Sequence, residues 1–174
     1  MGNYLMVFGA LIIFTVFSLL ANKSVINNKQ VAMQSNFIIT ATSLAQSVIE
    51  EAKIKAFDEK TKADTVTLVT SLSTTLGPDA GETLSTSPDV MDAVKNSFQS
   101  AFKYDDVDDY NGYRRIVNTN LSGIDSIKVQ VCYVNVTPPY DSTGSRTWCK
   151  KMIVTVTNPF ISIPVVQSYI FSYY

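Results

Sequence analysis

Histidine is absent from this 174-residue chain, and only two cysteines occur, Cys132 and Cys149. The first absence removes the commonest general base, the commonest zinc ligand and every serine–histidine or cysteine–histidine pair. The second leaves too few thiolates for a structural zinc site. Charge is scarce as well. Only 17% of residues are Asp, Glu, Lys or Arg and the net charge is −1, so no broad basic surface exists to hold a polyphosphate and no nucleic-acid partner is expected. Proline does not occur before Pro78, and Gly2 and Gly9 are the only glycines before Gly77. A long stretch of the N-terminal part therefore contains no residue that breaks a helix. Together these absences shift the expectation away from an enzyme, and from any cofactor, towards a structural or interaction protein.

Apolar residues are plentiful. At 46% of the chain they argue against disorder, and they are unevenly spread. Tyr4 to Ala21 reads YLMVFGALIIFTVFSLLA, 18 residues without a charge, and the first charged residue of the chain is Lys23. As a helix this run spans about 27 Å, close to the roughly 30 Å hydrocarbon core of a bilayer. Gly9, Thr15 and Ser18 are tolerated by a helix in lipid. A cleaved secretory signal fits poorly, because Met1-Gly2-Asn3 has no cation and NKSVINNKQ offers no A-x-A-like site. Met6 stands where N-myristoylation needs Ser or Thr. Lys23 and Lys29 follow the span, which by the positive-inside rule would place the rest of the chain in the cytoplasm.

Beyond Asn22 the pattern turns amphipathic. Met33, Phe37, Ala41, Leu44, Val48 and Ala52 recur at steps of three and four, and Ile26, Ile38, Ala45, Ile49 and Phe57 widen the stripe. Glu51 and Lys55 stand at the favourable i, i+4 spacing. The spacing predicts one helix from about Tyr4 to Phe57, about 80 Å long. Its first half is apolar all round and needs lipid or neighbouring helices. Its second half is apolar on one side and needs a domain to lie against.

After the polar connection Asp58–Thr65, the β-branched run TVTLVTSLSTTL over 65–76 predicts a strand or extended segment, followed by a turn at GPDAG. Ser87-Pro88-Asp89 reads as the capped start of a short helix that ends near Tyr104, with Val90, Val94, Phe98, Ala101 and Phe102 on its apolar face. The loop YDDVDDYNGY does not fit the EF-hand template; it reads as a solvated acidic turn, with a calcium site built from Asp105, Asp106, Asp108 and Asp109 as the alternative. Ile127, Val129, Val131 and Tyr133 alternate with polar neighbours, as do Met152, Val154 and Val156, and these two strands flank the loop TPPYDSTGSR. A hairpin register with Cys132 opposite Cys149 also sets Val129 against Met152 and Tyr133 against Trp148, which predicts a disulfide and an oxidising, extracytoplasmic compartment. A last strand over 163–174 and a short one over 113–117 complete the sheet.

An apolar N-terminal half-helix, an amphipathic continuation without a break, a variable connection, an antiparallel sheet and the expected disulfide near the C-terminus resemble the type IV pilins and related pseudopilins. The resemblance runs through the whole chain as architecture and rests, as sequence, on the N-terminal helix. It implies an α+β fold: a long N-terminal helix over 1–57 (apolar over 1–22, amphipathic over 23–57) packed on a small antiparallel sheet head over 58–174. It further implies a short cationic leader removed before Met1 by a prepilin peptidase, which makes Met1 the mature N-terminus and accounts for the missing cation. The implied function is an extracellular filament: a homopolymer held in the membrane before assembly by dedicated machinery, its core made by Leu5, Val7, Phe8, Leu11, Ile12, Phe14, Phe17 and Leu19, its head exposed for adhesion or motility. One departure matters. Type IV pilins usually carry a glutamate at the fifth mature position, paired with a neighbour's terminal amine, and Leu5 stands there. A monomeric membrane-anchored extracytoplasmic binding domain, and a pseudopilin of a secretion apparatus, are the alternatives.

Overall fold

The computed structural model describes Gly2–Tyr173, without the side chain of Leu5. Helix α1 runs over Gly2–Lys53. It is followed by a short helix α2 over Gln99–Lys103 and by four strands, β1 Arg114–Thr119, β2 Gly123–Tyr133, β3 Cys149–Thr157 and β4 Val165–Ser172. The strands form one sheet in the order β1-β2-β3-β4, every neighbouring pair antiparallel. The α+β class and the long helix expected from the sequence are both present. The chain divides into two compact units, Met1–Asn36 and Phe37–Tyr174, so the last turns of α1 belong to the unit that contains the sheet.

In that second unit Ala41, Ala45, Val48, Ile49 and Ala52 of α1 are buried together with Ile127, Val129 and Val131 of β2 and Met152, Val154 and Val156 of β3. The three alanines leave a shallow helix surface towards the branched residues of the sheet. Tyr104, Tyr110 and Tyr113 pack edge-to-face, with centroids 5.1–5.7 Å apart, and join the same core. Within α1 the amphipathic stripe is buried only from Ala41 onwards. Ile26, Met33 and Ile38, on the same stripe, are exposed.

Residues 65–76 form no strand. A single 3-10 turn occurs at Val69–Ser71. Side chains, not a neighbouring strand, satisfy this backbone: Val66 N donates to the Tyr173 hydroxyl, Ser73 N to the Asp58 carboxylate, and Arg146 donates to the Thr70 and Leu72 carbonyls. With those bonds made elsewhere, β propensity does not win a ladder. The helix expected from Ser87 is also reduced, to Gln99–Lys103. Asp89 does cap a helix, but one ten residues further on: its carboxylate accepts from the backbone N–H of Gln99 and Ser100, both at 3.2 Å. Asp89 also bridges to β1, donating its N–H to Arg114 O at 2.7 Å and accepting from Ile116 N at 3.0 Å.

The sheet register differs from the expected one by two residues. Cys132 stands opposite Lys151, Val131 opposite Met152, Val129 opposite Val154 and Tyr133 opposite Lys150. A slip of two keeps every side chain on its face, which is why the apolar pairing survives. It does not keep the cysteine pair. Both thiols are free: Cys149 lies across from Val134, whose N–H donates to its carbonyl at 3.0 Å, and Cys132 Sγ lies 3.4 Å from Ser142 Oγ. The predicted disulfide between Cys132 and Cys149 is therefore corrected, and the thiols no longer argue for an oxidising compartment.

Candidate functional site

Within the first unit the apolar run presents its side chains outward. Val7, Phe8, Leu11, Ile12, Phe14, Phe17 and Leu19 are between 52% and 70% exposed. At 100° per residue these positions cover a broad arc, and the exposed Ile13, Val16 and Leu20 fill the rest of the circumference, the pattern of a helix that is surrounded. Thr15, within the run, turns its hydroxyl back onto the Leu11 carbonyl at 2.8 Å, so its polar group is satisfied inside the helix. Gly2–Lys53 is long and apolar enough, in an 18-residue window of mean hydropathy 2.4, to cross a membrane. Met1 lies outside the described residues, as does the Leu5 side chain.

Asp105, Asp106, Asp108 and Asp109 do not converge on one cation. Asp106 Oδ1 accepts the N–H of Asp108 and Asp109, and Asp109 Oδ2 accepts the N–H of Asp105 and Asp106, so the loop bonds to itself. It is not a solvated turn either, since Asp106, Asp108 and Asp109 are buried. Asp105 turns towards Glu59 and Glu82, Asp109 also meets Glu82, and Lys62 Nζ sits among Glu59, Glu82 and Asp105, 2.8 Å from Glu59 and 3.9 Å from Glu82. Lysine is the cation that the structure puts there. Burial raises the Glu82 carboxyl to about 7, helped by Asp109 and Asp105.

Two buried ionic clusters escape a reading by composition. In the first, Arg115 on β1 meets Glu51 of α1 at 2.6 Å and the Tyr113 hydroxyl at 2.6 Å. Ser100 and Tyr110 also donate to Glu51, at 2.6 and 2.9 Å. The sequence spacing pairs Glu51 with Lys55. Instead, Lys55 donates to the Ala101 and Tyr104 carbonyls at the end of α2, at 2.9 and 2.7 Å. That is a helix C-terminus satisfied by a cation.

The second cluster centres on Lys150 of β3, which is fully buried. Its Nζ donates to Asp58 Oδ2 and to the Phe57 carbonyl, each at 2.8 Å, and to Asp108 Oδ1. The Phe57 and Tyr133 rings lie 4.4 and 5.2 Å from it. The two acids differ in support. Asp58 also accepts from Lys60 N, Ser73 N, Ser73 Oγ and the Tyr133 hydroxyl. Burial works against its charge, but Lys150 and these donors outweigh burial and hold the carboxyl below its ordinary value. Among the described residues Lys150 is the only donor to the Asp108 carboxyl, and burial with Asp106 and Asp58 nearby raises it to about 8. Sequence reasoning passed over Lys150, although a signal was there. Stepping back by two from Val156, Val154 and Met152 lands on it, a lysine on the core face of a strand.

No family model, no curated protein and no solved structure matches this chain.

Proposed function

We propose that this chain is the structural subunit of an extracellular type IV pilus-like filament and polymerises through its apolar N-terminal helix. The observation that carries the reading is the uncharged run Tyr4–Ala21, apolar on every side of the helix, whose large side chains among the described residues are exposed in the single chain. Burying a large aliphatic or aromatic side chain is worth about 1.5–3 kcal/mol relative to leaving it in water. A run of such residues therefore demands lipid or other helices. In this proposal lipid surrounds them before assembly and copies of the same helix surround them afterwards, Val7, Phe8, Leu11, Ile12, Phe14, Phe17 and Leu19 making the contacts. The second unit then forms the surface, where adhesion or motility is read.

A monomeric membrane-anchored domain is the competing reading, favoured by the presence of one helix of spanning length. A subunit of a secretion apparatus shares the polymeric reading and differs in copy number. The discriminating experiment shears intact cells and pellets the released surface material. Wild-type chain should be abundant in that fraction, and I12D should be lost from it by at least tenfold while some protein stays in the membrane. Equal recovery of I12D, or recovery of wild type from the membrane alone, rejects the filament.

A further inference from the structure

Lys150, Asp58 and Asp108 together place one ammonium and two carboxyl groups in a site closed to water. If all three were ionised the cluster would carry a buried net charge of −1, which is costly in an apolar surrounding. One carboxyl must therefore hold a proton, and the donor inventory says which. Asp58 is held as the anion by four groups besides Lys150. Asp108 Oδ2 is buried and finds no hydrogen-bond partner among the described residues. An amine in contact with a neutral carboxylic acid, with a carboxylate on its other side and no water between, is the reactant state of amide condensation.

We propose that Lys150 and Asp108 condense into an intramolecular amide bond, with Asp58 as the proton carrier. The ammonium gives one proton to Asp58 Oδ2, 2.8 Å away. The freed Nζ lone pair attacks Cγ of the Asp108 carboxylic acid. The Nζ–Cγ bond forms, the Cγ–OH bond breaks, and a second Nζ proton, relayed through Asp58, leaves with the hydroxyl as water. An ammonium, a carboxylic acid and a carboxylate become an amide, a water and the protonated Asp58, with no oxidant, reductant or other co-reactant. The end state is satisfied: protonated Asp58 Oδ2 donates to the Tyr133 hydroxyl, whose single hydrogen turns from Asp58 to the Ser73 carbonyl, 2.8 Å from the hydroxyl oxygen. Contact between the reacting groups supplies the effective concentration, and burial removes the water that would drive hydrolysis. The bond ties β3 to the acidic loop ahead of β1. It does not depend on the filament reading, because all three residues lie in the second unit.

The test is an intact mass and a peptide map of the full chain purified in detergent. The expected chain is one water lighter than its sequence, with a single branched peptide joining Lys150 to Asp108. K150R and D108A should have the full mass of their sequences. D58N should form the bond about 100-fold or more slowly after refolding, the size expected for removal of a proton-transfer group. Circular dichroism on each variant separates a missing bond from a missing fold. A folded wild-type chain of full mass overturns the proposal. So does a water loss confined to one unbranched peptide, or a branch from Lys150 to Asp58.

Discussion

Glu82 contributes to the pH response of the second unit. Burial raises its carboxyl from 4.5 to about 7, with Asp109 and Asp105 adding to the rise, and burial likewise raises Asp106 to about 6. A carboxyl with a raised folded value keeps its proton in the folded state after the unfolded chain has released it. Its stabilising contribution is complete below the unfolded value and is lost as pH rises through the folded one. Between about pH 5 and pH 8 the urea midpoint should therefore fall as pH rises, and E82Q should flatten that fall; an unchanged slope in E82Q would place the titration elsewhere. While Lys150 is still an ammonium, before any bond to Asp108 forms, Asp58 acts in the opposite sense, since its lowered value makes its contribution disappear as pH drops below the ordinary carboxylate range. In the core, Ile127 is fully buried, and I127A should cost about 2–5 kcal/mol by urea unfolding. The core of β2 and β3 was legible from alternation alone. The cationic partners of Asp58, Glu51 and Asp108 were not, because they lie between 42 and 92 residues away along the chain, and no local spacing encodes such a contact.

At the scale of elements, α1 and the four strands follow from periodicity and from the lack of breakers, whereas the segments between α1 and β1 do not. The run over 65–76 has the composition of a strand, yet Asp58, Arg146 and Tyr173 take its backbone bonds. Ser87-Pro88-Asp89 has the composition of a helix start, yet Asp89 serves the N-terminus of α2 and the edge of β1. In both cases tertiary partners override a weak local preference. The hairpin register could not be read from the apolar pattern either, because two registers two residues apart bury the same faces. The choice falls to the connection, where Thr147 Oγ1 donates to the Val134 carbonyl at 2.6 Å and Val134 bridges to Ser142. Between elements, Glu51 of α1 and Arg115 of β1 form the ionic tie. E51A leaves the guanidinium buried without its carboxylate and should cost about 3–5 kcal/mol. Adding R115M should restore part of that loss, as read by urea midpoints; an additive double variant would show that the two residues act independently.

For the molecule as a whole, the two units ask for different surroundings. The second unit closes its own core, with α1, the sheet and three tyrosines around it. Among the described residues, the run over 4–21 has no such core within a single chain, and its large side chains are exposed. The proposed polymer supplies one, and the most direct measurement is whether copies meet there. A photo-crosslinking residue is placed in the full chain at Ile12 or Phe17 and activated in intact cells, with Val166 on β4 as the comparison position. A ladder of dimers, trimers and higher multiples is expected from Ile12 and Phe17, with a branched peptide joining two N-terminal helices. Monomer alone at both helical positions, with crosslinks only to lipid, would contradict it.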